Sequence, residues 1–131
     1  MVSEWQFPDT LIGTYYAQAF TTVEAAAAYH TGLLDLTQDL KYRPALASNV
    51  PTVGNGEVVL EGAGMAVTWK LKEGMKWSDG EAIDCDDLIA TWKWNMDPDQ
   101  TGLVGGTTGW EDITAIDGAG TTTCVMRFSQ L

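Results

Sequence analysis

The chain has 131 residues, with 18 acidic side chains against 7 basic ones, a formal net charge of −11 with His30 neutral, and 45% hydrophobic residues. This is the composition of a globular protein with enough apolar content for one domain and a core. The negative field and the absence of a basic cluster exclude nucleic acid and anionic membrane surfaces as partners.

No apolar run reaches the roughly 18 residues of a membrane-spanning helix. The opening Met1-Val2-Ser3-Glu4 has neither the basic nor the apolar region of a signal peptide. A strand-like run, Cys124–Phe128, ends just before Leu131, so a piece of a longer protein is expected.

In chain order, Trp5–Phe7 is a short strand candidate ended by Pro8-Asp9, and Leu11–Phe20 shows no clear period. Thr21 with Glu24 makes a capping box ahead of Ala25–Ala28, the strongest helix formers. Gly32 stands where a left-handed cap would close that helix. Asp35–Asn49 reads as a connection, with Pro44 starting a short helical turn through Ala47. Glu57–Leu60 and Met65–Leu71 are strands joined across Gly62-Ala63-Gly64. The second alternates, with Met65, Val67, Trp69 and Leu71 on one face.

Gly74–Gly80 is a loop. Asp84 caps a second helix, with Asp86 and Asp87 in its first turn, favourable at the positive end of the dipole. Its apolar stripe is Leu88, Ile89, Trp92 and Met96, and it stops at Asp97-Pro98. Gln100–Gly109 is a glycine-rich loop. Trp110–Ile116 and Thr122–Phe128 form a last hairpin. Hairpins and two main helices without strict alternation predict an α+β fold.

Cys85 and Cys124 allow a single internal pairing. A disulfide closing about 40 residues is the preferred reading, and two buried thiols in a reducing compartment remain open. Two cysteines are too few for a cysteine-based zinc site. No phosphate-binding loop, nucleophile elbow or His-Glu-x-x-His motif occurs. His30 reads as a surface or capping residue, since no serine is placed beside it. Asp84, Asp86 and Asp87 are explained by capping without a metal. Asp97–Gly102 matches half of a calcium loop, but Thr108 stands where a bidentate Glu is needed. No cofactor or metal is expected.

The aromatics are more informative. Trp69, Trp92 and Trp94 fall on periodic faces and read as core. Tyr15, Tyr16, Phe20 and Trp110 sit in aperiodic or glycine-rich segments, where an aromatic can line a ligand cleft.

Gly32-Leu33-Leu34, Arg43-Pro44-Ala45-Leu46-Ala47, the run Val67–Gly80 ending Met75-Lys76-Trp77-Ser78-Asp79-Gly80, and Asp86-Asp87-Leu88 together resemble the amino-terminal region of family 5 extracellular solute-binding proteins. These are the oligopeptide-, dipeptide- and nickel-type receptors of ABC importers. Gly109–Ile113 is similar to the family's next segment. Such receptors are two-lobed and enclose ligand between the lobes. The resemblance implies a lead-in segment of the first lobe over residues 1–40 and a small α+β subdomain over 41–131, without the second lobe.

It also implies a non-enzymatic receptor outside the cytoplasm, periplasmic or anchored at the cell surface as a lipoprotein. Its partners would be a peptide or other small solute and an ABC permease. Cys85 and Cys124 lie outside the general family pattern and look like a subgroup disulfide that fits an exported protein. Tyr16, Gln18 and Phe20 correspond to a part of the first lobe that approaches the cleft, and Trp110 is a second candidate. The Trp77–Gly80 turn reads as structural, its glycine taking positive φ and its aspartate bonding the turn backbone. A face left bare by the missing lobe is expected to pair with a second copy. The rival reading is a free-standing extracellular interaction domain that binds a protein or glycan through exposed aromatics.

Overall fold

The computed structural model describes residues 30–100 and 106–131. The expected Trp5–Phe7 strand and the helix capped by Thr21 lie outside them, as do Tyr16, Gln18 and Phe20. Gly32 does not take the positive φ of a left-handed cap. Its carbonyl accepts from the Leu46 amide at 3.1 Å.

The segment expected to be a connection holds a two-stranded antiparallel ribbon, β1 (Leu34–Leu36) and β2 (Tyr42–Pro44). Leu34 lies opposite Pro44 and Leu36 opposite Tyr42, which puts four apolar side chains on one face. Asp35 and Arg43 pair at 3.0 Å on the other. Three-residue strands are too short to show a period, which is why the sequence reads as a loop.

Pro44 does not start a helical turn. The Ala45 amide donates to Leu33 at 3.0 Å, so Pro44 occupies the alternate position whose nitrogen faces away from the partner strand. The amides that a helical turn would need are committed elsewhere: Ala47 donates to Leu33 at 3.0 Å and Ser48 to Lys70 at 2.7 Å. Ala47, fully buried, bridges to Leu71 and ties the ribbon to the main sheet.

That sheet has four antiparallel strands in the order β3-β4-β6-β5, with β3 Val58–Glu61, β4 Gly64–Lys70, β5 Ile113–Asp117 and β6 Thr123–Phe128. Both expected hairpins are present, and the fold is α+β as expected. Gly62, at φ 65°, is the first of two residues in the β3–β4 turn, where a primed hairpin turn requires positive φ. β5 starts at Ile113 and not at Trp110, because the Trp110 amide is used in a turn, donating to Thr107 at 2.8 Å.

Helix α1 (Cys85–Asn95) crosses one face of the sheet. Its start is the predicted one. The Asp84 side chain accepts from the Asp86 amide at 2.8 Å, and the Asp84 amide donates to Asp87 at 2.9 Å, a complete capping box. The core between helix and sheet is Leu71, Cys85, Ile113, Ile116, Cys124 and Met126, with Trp69, Leu88, Ile89, Trp92 and Phe128 packed against it. Met96, expected on the buried stripe, is 38% exposed at the C-cap. The buried place at this end goes to Asn95, whose amide nitrogen is satisfied by the Thr91 carbonyl at 2.8 Å.

Cys85 and Cys124 form a disulfide, with both sulfurs buried, so the thiol alternative is set aside. It ties the start of α1 to β6, and two hydrogen bonds beside it tie the same place to the β5–β6 turn. The Cys85 amide donates to Thr121 at 2.9 Å, and the Gly120 amide donates to Asp86 at 3.1 Å.

The other face of the sheet is polar. Arg127 on β6 reaches across the small Ala66 to grip Glu61 with two contacts at 2.8 and 2.9 Å, and it bonds Asp117 at 3.2 Å. The Glu61 hydrogen bonds, then those of Asp117, hold the guanidinium pKa above its ordinary value.

Among the described residues one carboxylate is buried. Glu57, 6% exposed, pairs with Lys70 at 2.9 Å and accepts from the side-chain amides of Asn49 and Asn55. The Lys70 hydrogen bond is the main reason its pKa lies below the ordinary value of 4.5, against the opposing effect of burial. A depressed carboxylate pKa gives stability that is complete above the unfolded value and is lost as pH falls through the folded one. In Glu57→Gln, the acid-side decline in thermal midpoint is therefore expected to flatten. An unchanged pH profile would remove Glu57 as its source.

Candidate functional site

A cleft of about 480 Å³ opens where the chain enters the described fold, between residues 30–33 and the half-buried Asp87, Leu88 and Thr91 of α1. Leu33, Leu46, Ile83, Leu88 and Met126 give it an apolar floor, and His30, Trp77 and Trp110 stand around it.

The two tryptophans are held in different ways. Trp77 is carried by a tight turn. The Trp77 amide donates to Glu81 at 2.9 Å, Gly80 donates back to Trp77 at 3.0 Å, and the Asp79 side chain accepts from Glu81 at 3.1 Å. Gly80 has φ 96°, so the turn is built as its sequence suggests. The turn also has a second task that was not legible. It holds Trp77 half-exposed with its indole nitrogen donating to Asp87 at 3.0 Å.

Asp87 thereby joins the cap of α1 to the rim of the cleft. One carboxylate oxygen accepts from Trp77 and the other from the Asp84 amide. A Trp-Ser-Asp-Gly turn whose tryptophan stands ten residues before an aspartate in the first turn of a helix is the signal that could have found this contact.

Trp110, a predicted ligand residue, lines the cleft and also packs on the core. Its carbonyl accepts from the Trp92 indole at 3.3 Å, so its turn is braced by the helix. The structure brings Trp110 together with Trp77 and His30. His30 is exposed, in keeping with its reading as a surface residue.

The cleft can hold apolar groups and exclude water from them. Among the described residues no cluster of three or more histidine, cysteine, aspartate or glutamate side chains could hold a metal ion. The half-match at Asp97 is occupied by its own turn, the side chain accepting from the Asp99 amide at 2.9 Å. No described helix is long and apolar enough to cross a membrane.

Residues 41–130 match the family model of bacterial extracellular solute-binding proteins, family 5 (middle). The chain belongs to this family. Membership of a family of extracellular solute-binding proteins implies an extracytoplasmic location for the chain.

Among curated proteins, the chain is similar to the oligopeptide-binding protein OppA of Bacillus subtilis (strain 168), at 28% identity over 67 residues. That stretch is 51% of this chain and 11% of OppA. Its fold is similar to that of an oligopeptide-binding protein from Thermus thermophilus complexed with a pentapeptide. There the TM-score is 0.73 at 18% identity, over 90% of this chain and 20% of that one. The oligopeptide-binding protein AppA of Bacillus subtilis, in complex with a nonapeptide, gives a TM-score of 0.69 at 19% identity. The match covers 88% of this chain and 21% of AppA. The family 5 chain thus spans about a fifth of these solved relatives.

Proposed function

We propose that this chain supplies the lead-in segment (residues 1–40) and the small α+β subdomain (41–131) of the first lobe of a peptide receptor. In this reading the complete receptor lies outside the cytoplasm, anchored at the membrane. It captures peptides without a catalytic step and hands them to the permease of an ABC importer. The observation that carries the proposal is the family match over residues 41–130, which coincides with a fold similar to that of two peptide-bound receptors.

Tyr16, Gln18, Phe20 and Trp110 are the residues we assign to the ligand side of the lobe. A single lobe gives part of the contacts and none of the enclosure. It must still meet the full entropic cost of association, so affinity resides in the two-lobed form. Pairing with a second copy, when the chain is studied alone, belongs to the same reading.

Calorimetry with a pentapeptide tests the proposal. The 131-residue chain is expected to give no saturable heat at micromolar concentrations. The polypeptide that continues from it in the native reading frame is expected to bind. Tight binding by the 131-residue chain alone, or no peptide binding by the continued polypeptide, would overturn the assignment.

A further inference from the structure

The loop that wraps Glu57 contains the dipeptide Asn55-Gly56, the pairing most prone to spontaneous deamidation because glycine leaves the attacking amide unhindered. We propose that Asn55 is a latent deamidation site: the folded loop holds it closed, opening exposes it, and the product carboxylate unclasps Glu57 so that the opening becomes permanent.

The chemistry needs only water. The Gly56 backbone nitrogen attacks the Asn55 side-chain carbon and loses its proton to solvent. The bond to Nδ2 breaks, and ammonia leaves with a proton taken from solvent. Water then opens the cyclic imide at either carbonyl, leaving aspartate or isoaspartate.

In the fold both reacting groups are held. The Gly56 amide, the nucleophile, donates to Val53 at 3.1 Å. The Asn55 Oδ1 accepts from the amides of Thr52 at 2.9 Å and Glu57 at 3.2 Å. Its Nδ2 donates to the Val50 carbonyl and to Glu57 Oε2, both at 3.0 Å. Attack requires the side chain to rotate out of all four contacts while Gly56 gives up its own.

The outcome is asymmetric. Deamidation puts an oxygen where Nδ2 stood, facing the Val50 carbonyl and the Glu57 carboxylate, two acceptors and no donor. The cation at Glu57 is Lys70, already paired with it at 2.9 Å, and the remaining neighbour is the Asn49 amide. A second carboxylate there repels the first, and the loop loses the residue that organises it.

Incubation of the 131-residue chain at neutral pH, folded and in urea, tests the proposal, with mass and chromatographic mapping of the peptide around Asn55. Conversion is expected to be slower in the folded chain by about tenfold or more, as for a site reached through local opening. Asn49, followed by Val50, lies close by in the same loop and is expected to stay intact, serving as an internal control. Thr52→Val removes the Thr52 hydroxyl that accepts from the Asn55 amide at 3.1 Å, and should raise the folded-state rate. Asn55→Asp should melt below the parent at neutral pH, with the gap closing in acid as the facing carboxylates protonate. Equal rates in the folded and unfolded chain, no conversion in urea, or an Asn55→Asp variant as stable as the parent would each overturn the inference.

Discussion

Replacing both cysteines, Cys85→Ala with Cys124→Ala, is expected to lower the unfolding free energy by about 4 kcal/mol. That is the chain-entropy value for a loop of this size. The bridge joins positions 39 apart, so without it the denatured chain regains the conformational freedom that the closed loop had removed. The measurement is urea unfolding of the oxidised parent and the double variant. The midpoint should fall and the slope should steepen, because the unlinked chain exposes more surface when unfolded. The two hydrogen bonds beside the bridge, Cys85 to Thr121 and Gly120 to Asp86, keep the helix start on the β5–β6 turn in the folded state. The loss should therefore be one of stability, with the far-ultraviolet signature of the folded chain retained. A loss below about 1 kcal/mol would mean that the denatured state is already compact around this loop.

The second large effect is expected at Gly118. A Cβ there would stand 2.2 Å from the Thr123 carbonyl oxygen, and the backbone φ is 109°. The neighbour is backbone within the β5–β6 hairpin, so it cannot swing aside as a side chain would. Crowding of this kind costs about 1–3 kcal/mol, and the unfavourable backbone region adds about 1–2 kcal/mol. Gly118→Ala is thus expected to cost about 3 kcal/mol. Gly120, two residues on, has φ 69° but open space where its Cβ would be. Gly120→Ala should carry the backbone cost alone, about 1 kcal/mol. Thermal and urea midpoints of the two variants separate crowding from conformation, and equal losses would remove the steric part of the argument.

What could be read from the residues depended on how locally each feature is encoded. The cap of α1 was legible because Asp84, Asp86 and Asp87 act within one turn. The two hairpins were legible because glycines mark their turns and the residues of Met65–Leu71 alternate between apolar and polar or small. The β1–β2 ribbon was not, since three-residue strands give no period and Leu40, in a left-handed turn position at φ 59°, is a residue that conceals a turn. At the cleft, Trp110 was found through its glycine-rich setting. Trp77 was assigned only its turn, because its bond to Asp87 joins a loop to a helix and lies beyond the reach of helix or strand periodicity. Nothing local marked Glu57, whose burial arises from two asparagines of one loop and a lysine on β4.

The order β3-β4-β6-β5 has a consequence for assembly. β4 is flanked on one side by its sequence neighbour and on the other by the final strand of the sheet, Thr123–Phe128. During synthesis, the β3–β4 hairpin emerges early with the backbone groups of β4 unpaired along one flank and Met65, Val67 and Trp69 bare on the face beside it. That flank stays uncovered until β6, which starts only at Thr123, has been made. Such a bare, sticky border is where nascent chains associate wrongly. Oxidation of Cys85 with Cys124, by drawing the late strand near before the ladder zips, would shorten that vulnerable interval.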